Sequence, residues 1–150
     1  WKLNLNGSYI ISDEKYSEDE LKLRKLGVRE GQTLGTSRPL QGQSPYLINA
    51  GVEYKNQDKG FQGALFYNVQ GKTLQVVGNG FYPDVYTMPF NSLNFNIIKQ
   101  LKKNRTLTLK VTNLLDDKRE SNFIGFNEER KYFSLRHIGS TFSFSYAVRF

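Results

Sequence analysis

The sequence predicts an all-β protein, an antiparallel up-and-down transmembrane β-barrel, and three observations lead to this prediction. Apolar and polar residues alternate along six segments, the connections between the segments alternate in length, and the polar faces hold too little apolar area for a packed interior. Successive side chains of a strand point to opposite faces, so an alternation with period two is the expected signature of strands. The six predicted strands span residues 2–12, 44–55, 60–72, 90–100, 104–114 and 138–150.

The last segment shows the alternation most clearly. One face carries five apolar side chains, namely Phe142, Phe144, Tyr146, Val148 and Phe150. The positions between them are Ser, Ser, Ala and Arg, so this strand has one apolar face and one small or polar face. The same alternation recurs in the five upstream segments, although Phe66 interrupts it in the third.

The five connections between the predicted strands alternate between long and short. Residues 13–43, 73–89 and 115–137 form long connections, whereas residues 55–59 and 101–103 form short turns. Barrels of the bacterial outer membrane have short turns on the periplasmic side and longer loops outside. A soluble sandwich has no reason to keep this strict alternation, so the connections favour a membrane barrel.

The first long connection also predicts a short helix. Ser17 to Glu20 has the spacing of a capping box, Leu21 and Leu26 follow, and Gly27 can end the helix. We expect a solvent-facing helix that orders this connection.

Composition and motifs exclude several classes of function. The 150 residues contain no cysteine, which excludes disulfides and thiolate metal sites. A mean hydropathy of -0.55 without a long apolar run excludes a transmembrane helix, but transmembrane strands need only ~9–11 residues. The net charge of +7 is scattered among acidic neighbours without a nucleic-acid-binding motif, so no nucleic acid is expected as a partner. His137 is the only histidine, and no nucleotide-binding or metal motif is present, so we predict no enzyme activity, catalytic residue, metal or cofactor.

The polar faces favour lipid on the apolar side. They carry Asn, Thr, Ser, Gln, Lys and Arg, and burying such a group without a partner costs about 2–7 kcal/mol. With apolar residues facing lipid and polar residues facing a lumen, this cost disappears, and a closed ladder of strands pairs the backbone. Aromatic residues near strand ends are expected to form girdles at the membrane interfaces. The girdle candidates are Trp1, Tyr46, Tyr54, Phe61, Phe90 and Phe150.

Several segments of the sequence resemble TonB-dependent receptors of the outer membrane. Residues 106–118 resemble the penultimate-strand signature of that family, in which an alternating strand ends in Asn-Leu-aromatic/Leu-Asp before an outer loop. Residues 142–150 are similar to its closing strand with a terminal Phe, and residues 38–51 and 67–72 look like receptors from the Bacteroidota. The sequence departs from the family at residues 137–140, where many members have Gly-Arg.

The resemblance implies a barrel of about 22 strands filled by an N-terminal plug, with the last six strands in these 150 residues. Trp1 lies inside an alternating run without a signal segment, so we expect the chain to be part of a longer protein whose plug is not included. The implied function is energised uptake of an iron chelate, cobalamin, an oligosaccharide or a peptide. The implied partners are outer-membrane lipid, the N-terminal barrel and plug, TonB and a surface lipoprotein.

Ligand contacts are expected in the long connections, because binding residues concentrate on loops held by a rigid scaffold. The candidates are Arg38, Gln41, Gln43, Tyr82, Asp84 and Tyr86, which could also serve only to order the loops against one another. Two other functions remain open. One is a small outer-membrane barrel, closed at eight strands by two strands within the long connections, that acts as an adhesin or anchor. The other is a soluble β-sandwich binding module, whose strands also alternate.

Overall fold

The computed structural model describes residues 1–28, 33–79, 81–102, 104–125 and 131–149. These residues form an all-β, antiparallel structure with one short helix. No helix in this described part of the chain is long and apolar enough to cross a membrane. In chain order the elements are β1 (Lys2–Tyr9), β2 (Glu14–Lys15), α1 (Glu18–Leu26), β3 (Ser37–Arg38), β4 (Tyr46–Asn56), β5 (Phe61–Gln70), β6 (Thr73–Val76), β7 (Asp84–Thr87), β8 (Phe90–Lys102), β9 (Arg105–Thr112), β10 (Arg119–Ile124), β11 (Lys131–Arg136) and β12 (Thr141–Val148).

Six strands form the main sheet, in the order β1-β4-β5-β8-β9-β12. They are the six strands predicted from the alternation, and each pairs with the next of the six along the chain. The sheet is therefore an up-and-down meander. The first strand ends at Tyr9 instead of residue 12, and the last begins at Thr141 instead of residue 138.

The long connections contain further strands that the sequence did not predict. β6 and β7 lie between β5 and β8, β10 and β11 lie between β9 and β12, and these four form a second sheet in the order β11-β10-β7-β6. β2 pairs with β3 in the first long connection. None of these strands pairs with the main sheet, so the closure at eight strands is not seen. Within the described residues both larger sheets are open, and β1 and β12 are the edges of the main sheet.

The strand register separates the main sheet into an apolar face and a polar face. Side chains from all six strands form one apolar row, namely Leu3, Val52, Leu65, Phe95, Val111 and Phe142. The adjacent row on the opposite face is polar apart from one alanine, and it consists of Lys2, Glu53, Ala64, Asn96, Lys110 and Ser143. The alternation seen in the sequence is thus in phase across the whole sheet.

The apolar face of the main sheet is largely uncovered. Leu3 and Leu5 on β1 are 80% and 82% exposed, and Phe142 and Phe144 on β12 are 68% and 71% exposed. Val111 is the one buried side chain of this face among the described residues. A fully buried Leu or Phe gains about 1.5–3 kcal/mol relative to exposure, so this face needs an apolar environment.

Phe66, which interrupts the alternation, lies on the polar face opposite Gly51. A Cβ on Gly51 would come within 2.6 Å of the Phe66 Cδ1 atom, so the ring lies directly over the glycine. A large side chain on the polar face is thus accommodated by a missing one on the neighbouring strand.

Gly60 closes the short turn between β4 and β5, and we expect Gly60→Ala to lower the free energy of unfolding by roughly 2 kcal/mol. Its φ is +56°, and an added Cβ would lie 2.9 Å from the Gln100 Cβ atom. Gly42→Ala is the matched control, because Gly42 has a φ of +80° with no atom within 4 Å of an added Cβ. It should lose only the backbone contribution, about 1 kcal/mol. Equilibrium unfolding in urea would measure both losses, and equal losses would show that the contact with Gln100 is unimportant.

Candidate functional site

The best-packed part of the described chain lies in the long connections. Leu74 on β6 and Asn122 on β10 are 0% and 1% exposed, and Val85 on β7 is 2% exposed. We call α1, the β2–β3 pair and the second sheet together the platform. Because the platform has its own buried residues, it presents an ordered surface at one end of the main sheet.

Helix α1 forms where the capping box predicts it. The Ser17 Oγ atom accepts a hydrogen bond from the Glu20 backbone N–H at 3.2 Å, which satisfies a free donor of the first turn. The Gly27 backbone N–H donates to the Arg24 carbonyl oxygen at 3.1 Å and ends the helix. Acidic residues in the first turn and basic residues in the last complement the helix dipole. The helix places Glu20 and Arg24 on one side, one turn apart.

A bidentate ion pair connects α1 to β7. The Arg24 Nη2 atom donates to Asp84 Oδ1 at 2.8 Å, and Nη1 donates to Asp84 Oδ2 at 3.3 Å. The Arg24 Nε atom donates to Glu20 Oε1 at 3.1 Å, and the Gly78 N–H donates to Asp84 Oδ1 at 2.7 Å. The two paired side chains are only 10% and 12% exposed, so solvent screens the pair weakly.

Arg38 extends this network to the β2–β3 pair. Its Nη1 atom donates to Glu14 Oε2 at 2.6 Å, and its Nε atom donates to Glu20 Oε1 at 3.3 Å. Glu20 therefore accepts hydrogen bonds from Arg24 and Arg38, and the network joins the first and second long connections. Among the described residues its charges largely cancel, with three carboxylates facing two guanidinium groups.

A pocket of about 220 Å³ lies beside this network. The first long connection contributes Tyr16 and Arg24, the second contributes residues 82–84 and Tyr86, and the third contributes Ile124. The Arg24 guanidinium carbon lies 4.5 Å from the centre of the Tyr16 ring. All three long connections thus build one site.

The structure brings together some of the residues that the sequence predicts for ligand contact. Tyr82, Asp84 and Tyr86 line the pocket, and Arg38 lies behind it through Glu20. The two predicted glutamines do not line it. The Gln41 Nε2 atom donates to the Gln75 carbonyl oxygen at 2.8 Å, and the Gln43 backbone N–H donates to the Leu40 carbonyl oxygen at 3.3 Å.

Sequence analysis missed Tyr16 and Arg24 as pocket residues. The spacing of Glu20 and Arg24 was a readable sign of a helical ion pair. The partner of Arg24 across the pocket, Asp84, is 60 residues away and has no local sign in the sequence.

The predicted girdle aromatics that the structure describes do not all lie on the same face of the main sheet. Trp1 and Tyr54 rings are 4.8 Å apart, and Tyr54 and Phe61 rings are 6.0 Å apart, so these three cluster at the short-turn end of the apolar face. Tyr46 lies on the same face at the other end of β4. Phe90 pairs with Gln70 and so lies on the polar face, where the Arg119 guanidinium carbon is 4.3 Å from its ring centre. Phe90 thus lies on the opposite face from Trp1, Tyr46, Tyr54 and Phe61, and Phe150 lies outside the described residues.

Burial raises the pKa of the Tyr16 phenol; Asp84 and Glu20 raise it further, while Arg24 opposes them. Burial also raises the pKa of Tyr86, with Asp84 again adding to it. A raised pKa means that folding favours the neutral phenol. Each phenol therefore contributes its full stabilisation below the pKa of about 10 that it has in the unfolded chain. This stabilisation is lost as the pH rises through the higher pKa of the folded protein.

We expect the absorbance change at 295 nm on alkaline titration to show these two phenols ionising late. The difference between the wild-type curve and that of the variant carrying Tyr16→Phe and Tyr86→Phe isolates their contribution. Its midpoint should lie above pH ~10, because a free tyrosine titrates there. Tyr82→Phe, at a side chain that is 69% exposed, is the control for removing a tyrosine from the same pocket. A midpoint at or below that of a free tyrosine would contradict the burial of the two phenols.

Comparison of the chain with protein-family models, with curated proteins and with solved structures finds no match. The class of protein is therefore defined by the fold itself: an antiparallel, all-β chain with a single-layer meander sheet and an ordered platform at one end. The features of this fold that bear on its function are the uncovered apolar face and the pocket.

Proposed function

We propose that the chain forms part of the wall of a transmembrane β-barrel in the bacterial outer membrane. We further propose that the whole protein is a TonB-dependent receptor that imports a scarce ligand. The observation that carries the first proposal is the apolar face of the main sheet, which runs across six strands and remains largely exposed to solvent at its edges.

Lipid is the environment that fits this face. A β-sandwich would cover it with a second sheet, but Leu5 and Phe144 of this face are 82% and 71% exposed. The strands β4, β5 and β8 have 11, 10 and 13 residues. A tilted strand needs about 9–11 residues to cross the hydrocarbon core, so their length matches a bilayer.

The polar face and the two edges of the main sheet support a larger barrel. In a barrel wall the row with Glu53 and Lys110 faces the lumen, where charged and amide groups stay hydrated or contact a plug. The outer sides of β1 and β12 present backbone groups that need partners in a bilayer. Further strands of the same protein would pair them and close the barrel.

The ends of the sheet indicate its orientation. The short turns lie at one end and the platform at the other, as in barrels whose loops face outward. The cluster of Trp1, Tyr54 and Phe61 then lies at the periplasmic interface, where aromatic side chains concentrate. The platform and its pocket face the medium, where a receptor meets its ligand.

Single-cysteine labelling tests this topology, because the 150 residues contain no cysteine. Lys118→Cys, in the connection after β9, should react with a membrane-impermeant maleimide on intact cells. Asp58→Cys, in the short turn after β4, should react only after the outer membrane is permeabilised. Both wild-type side chains are exposed in the structure, so burial within the protein does not distinguish the two positions. A difference in labelling would then come from the membrane that separates one of them from the reagent. Equal labelling of both variants on intact cells would refute the topology.

The size of the native polypeptide tests the receptor part of the proposal. The 150 residues have a mass of 17.3 kDa, and a receptor with a plug and about 22 strands would be several times heavier. Intact-mass measurement on the protein extracted from outer membranes in detergent should give this larger mass. A polypeptide near 17.3 kDa would instead favour a small barrel that acts as an adhesin or anchor.

A further inference from the structure

Among the described residues the charged side chains that line the platform pocket, Arg24 and Asp84, are paired with each other. The Arg24 guanidinium donates to Asp84 and Glu20, and Asp84 also accepts from Gly78. An anionic ligand would have to displace these carboxylates, and a cationic ligand would have to displace Arg24. Because breaking a largely buried ion pair is costly, the pocket disfavours charged ligands.

The uncharged polar groups of the pocket favour a ligand with hydroxyl groups. Among the described residues the phenol oxygens of Tyr16 and Tyr86 have no hydrogen-bond partner, although both rings are partly buried. An entirely apolar ligand would seal these phenols away from water without partners, and an unpaired buried polar group is unfavourable. A ligand hydroxyl could pair with each.

An exposed aromatic ring stands at the mouth of the pocket. Tyr82 lines the pocket, is 69% exposed and precedes Pro83 in the connection between β6 and β7. The faces of the other two tyrosines are each approached by a cation, since the Arg24 guanidinium carbon lies 4.5 Å from the Tyr16 ring centre and the Lys72 Nζ atom lies 4.3 Å from that of Tyr86. Tyr82 is thus the exposed ring among the three pocket tyrosines, and a ligand can reach it from solvent.

We propose that the pocket binds one neutral sugar ring of an oligosaccharide, with its C–H face on Tyr82 and its hydroxyls on the Tyr16 and Tyr86 phenols. A pyranose ring combines an apolar face with uncharged donors and acceptors around its edge, which matches each part of this site. The volume of about 220 Å³ lies below the ~300–1,000 Å³ of pockets for drug-sized ligands. One ring therefore enters, and the rest of the chain extends into solvent.

This inference rests on the proposed function only for the outward position of the platform. Sugar binding is tested with the protein purified at its native length in detergent, by saturation-transfer NMR. The probes are five neutral disaccharides (maltose, cellobiose, lactose, chitobiose and mannobiose), with digalacturonate as the charged probe and p-cresol as the aromatic probe without a sugar ring. We expect a saturation-transfer signal from at least one neutral disaccharide and no such signal from digalacturonate or p-cresol.

Adjacent aromatic residues provide a matched pair of variants. Tyr82→Ala should weaken binding of the responding disaccharide about ten-fold, because an aromatic contact of this kind is lost. Phe81→Ala is the control, since Phe81 is 74% exposed beside Tyr82 but does not line the pocket. It should leave the affinity within about two-fold. Tyr86→Phe removes one hydroxyl and should weaken binding roughly five-fold.

Three results would overturn the proposal: no saturation of any neutral disaccharide, a preference for digalacturonate or p-cresol, or equal effects of Phe81→Ala and Tyr82→Ala. None of them would alter the cysteine-labelling pattern. Loss of the sugar site and loss of the membrane topology are therefore separately observable.

Discussion

Phe144→Arg is expected to lower the free energy of unfolding in a lipid bilayer by about 2–4 kcal/mol. Phe144 lies at the centre of β12 on the apolar face, pairs with Leu109 and is 71% exposed. In the proposed barrel wall this side chain contacts hydrocarbon, so a guanidinium group there loses its hydration. The loss can be measured by reversible denaturant unfolding in phosphatidylcholine vesicles.

Ser145→Arg is the matched control for this prediction. Ser145 is the next residue of the same strand, is exposed and faces the opposite side, where it pairs with Thr108. An arginine on the lumen side remains hydrated, so its cost should be close to zero. If both substitutions destabilise the sheet equally, the apolar face is not the lipid face and the barrel proposal loses its main support.

A second pair of variants distinguishes lipid from a protein layer over the apolar face. In a background carrying Trp1→Phe, which removes the only tryptophan of the 150 residues, the fluorescence of the tryptophan introduced by Phe144→Trp should be quenched by lipids with brominated acyl chains. The fluorescence of the tryptophan introduced by Ser145→Trp should be quenched much less. A covering protein layer would protect both positions, so absence of quenching at both would favour a sandwich.

The six strands of the main sheet could be predicted because their two faces meet different environments. The alternation is a local property of each segment, and it survives in strands such as β12, where every odd and even position differs in polarity. The end of β1 was placed too late, since Ile11 continues the alternation while the chain has already left the sheet. The last contact is the hydrogen bond from the Ile10 N–H to the Pro45 carbonyl oxygen at 2.9 Å, one position beyond the Tyr9–Tyr46 pair.

The strands of the second sheet lack that signal. Thr73 and Leu74 on β6 are both buried, as are Ser121 and Asn122 on β10, so neighbouring positions do not differ in exposure. These strands have 4 and 6 residues. A short segment covered on both sides shows no period of two, and only the packing of the three long connections against one another fixes it.

The face on which Phe90 lies follows from the alternation along β8. Leu93, Phe95 and Ile97 already define the apolar face of β8 as its odd-numbered positions. Phe90 is even-numbered, so parity places it on the polar face, and its pairing with Gln70 confirms this. Proximity to a strand end predicts an interfacial aromatic residue only if the side chain also has the lipid-facing parity.

Arg24→Ala is expected to weaken the platform more than any other single change to its ion pairs. It removes the bidentate partner of Asp84, a carboxylate that is 12% exposed, as well as a partner of Glu20. Removing one partner of a buried pair costs about 3–5 kcal/mol, and we expect about 3 because Asp84 keeps the hydrogen bond from Gly78. Hydrogen exchange of the α1 amides should accelerate roughly 100-fold, while the main sheet is unaffected.

Lys22→Ala on the same helix separates the buried pair from a surface pair. Lys22 lies 3.2 Å from Asp19, but the two side chains are 72% and 90% exposed. Such a pair contributes little, so exchange in α1 should change less than about three-fold. If Arg24→Ala has an effect as small as Lys22→Ala, the ion pair with Asp84 does not hold α1 on β7. In that case the pocket between them has no fixed geometry, and the three tyrosines cannot present a preformed surface to a sugar ring.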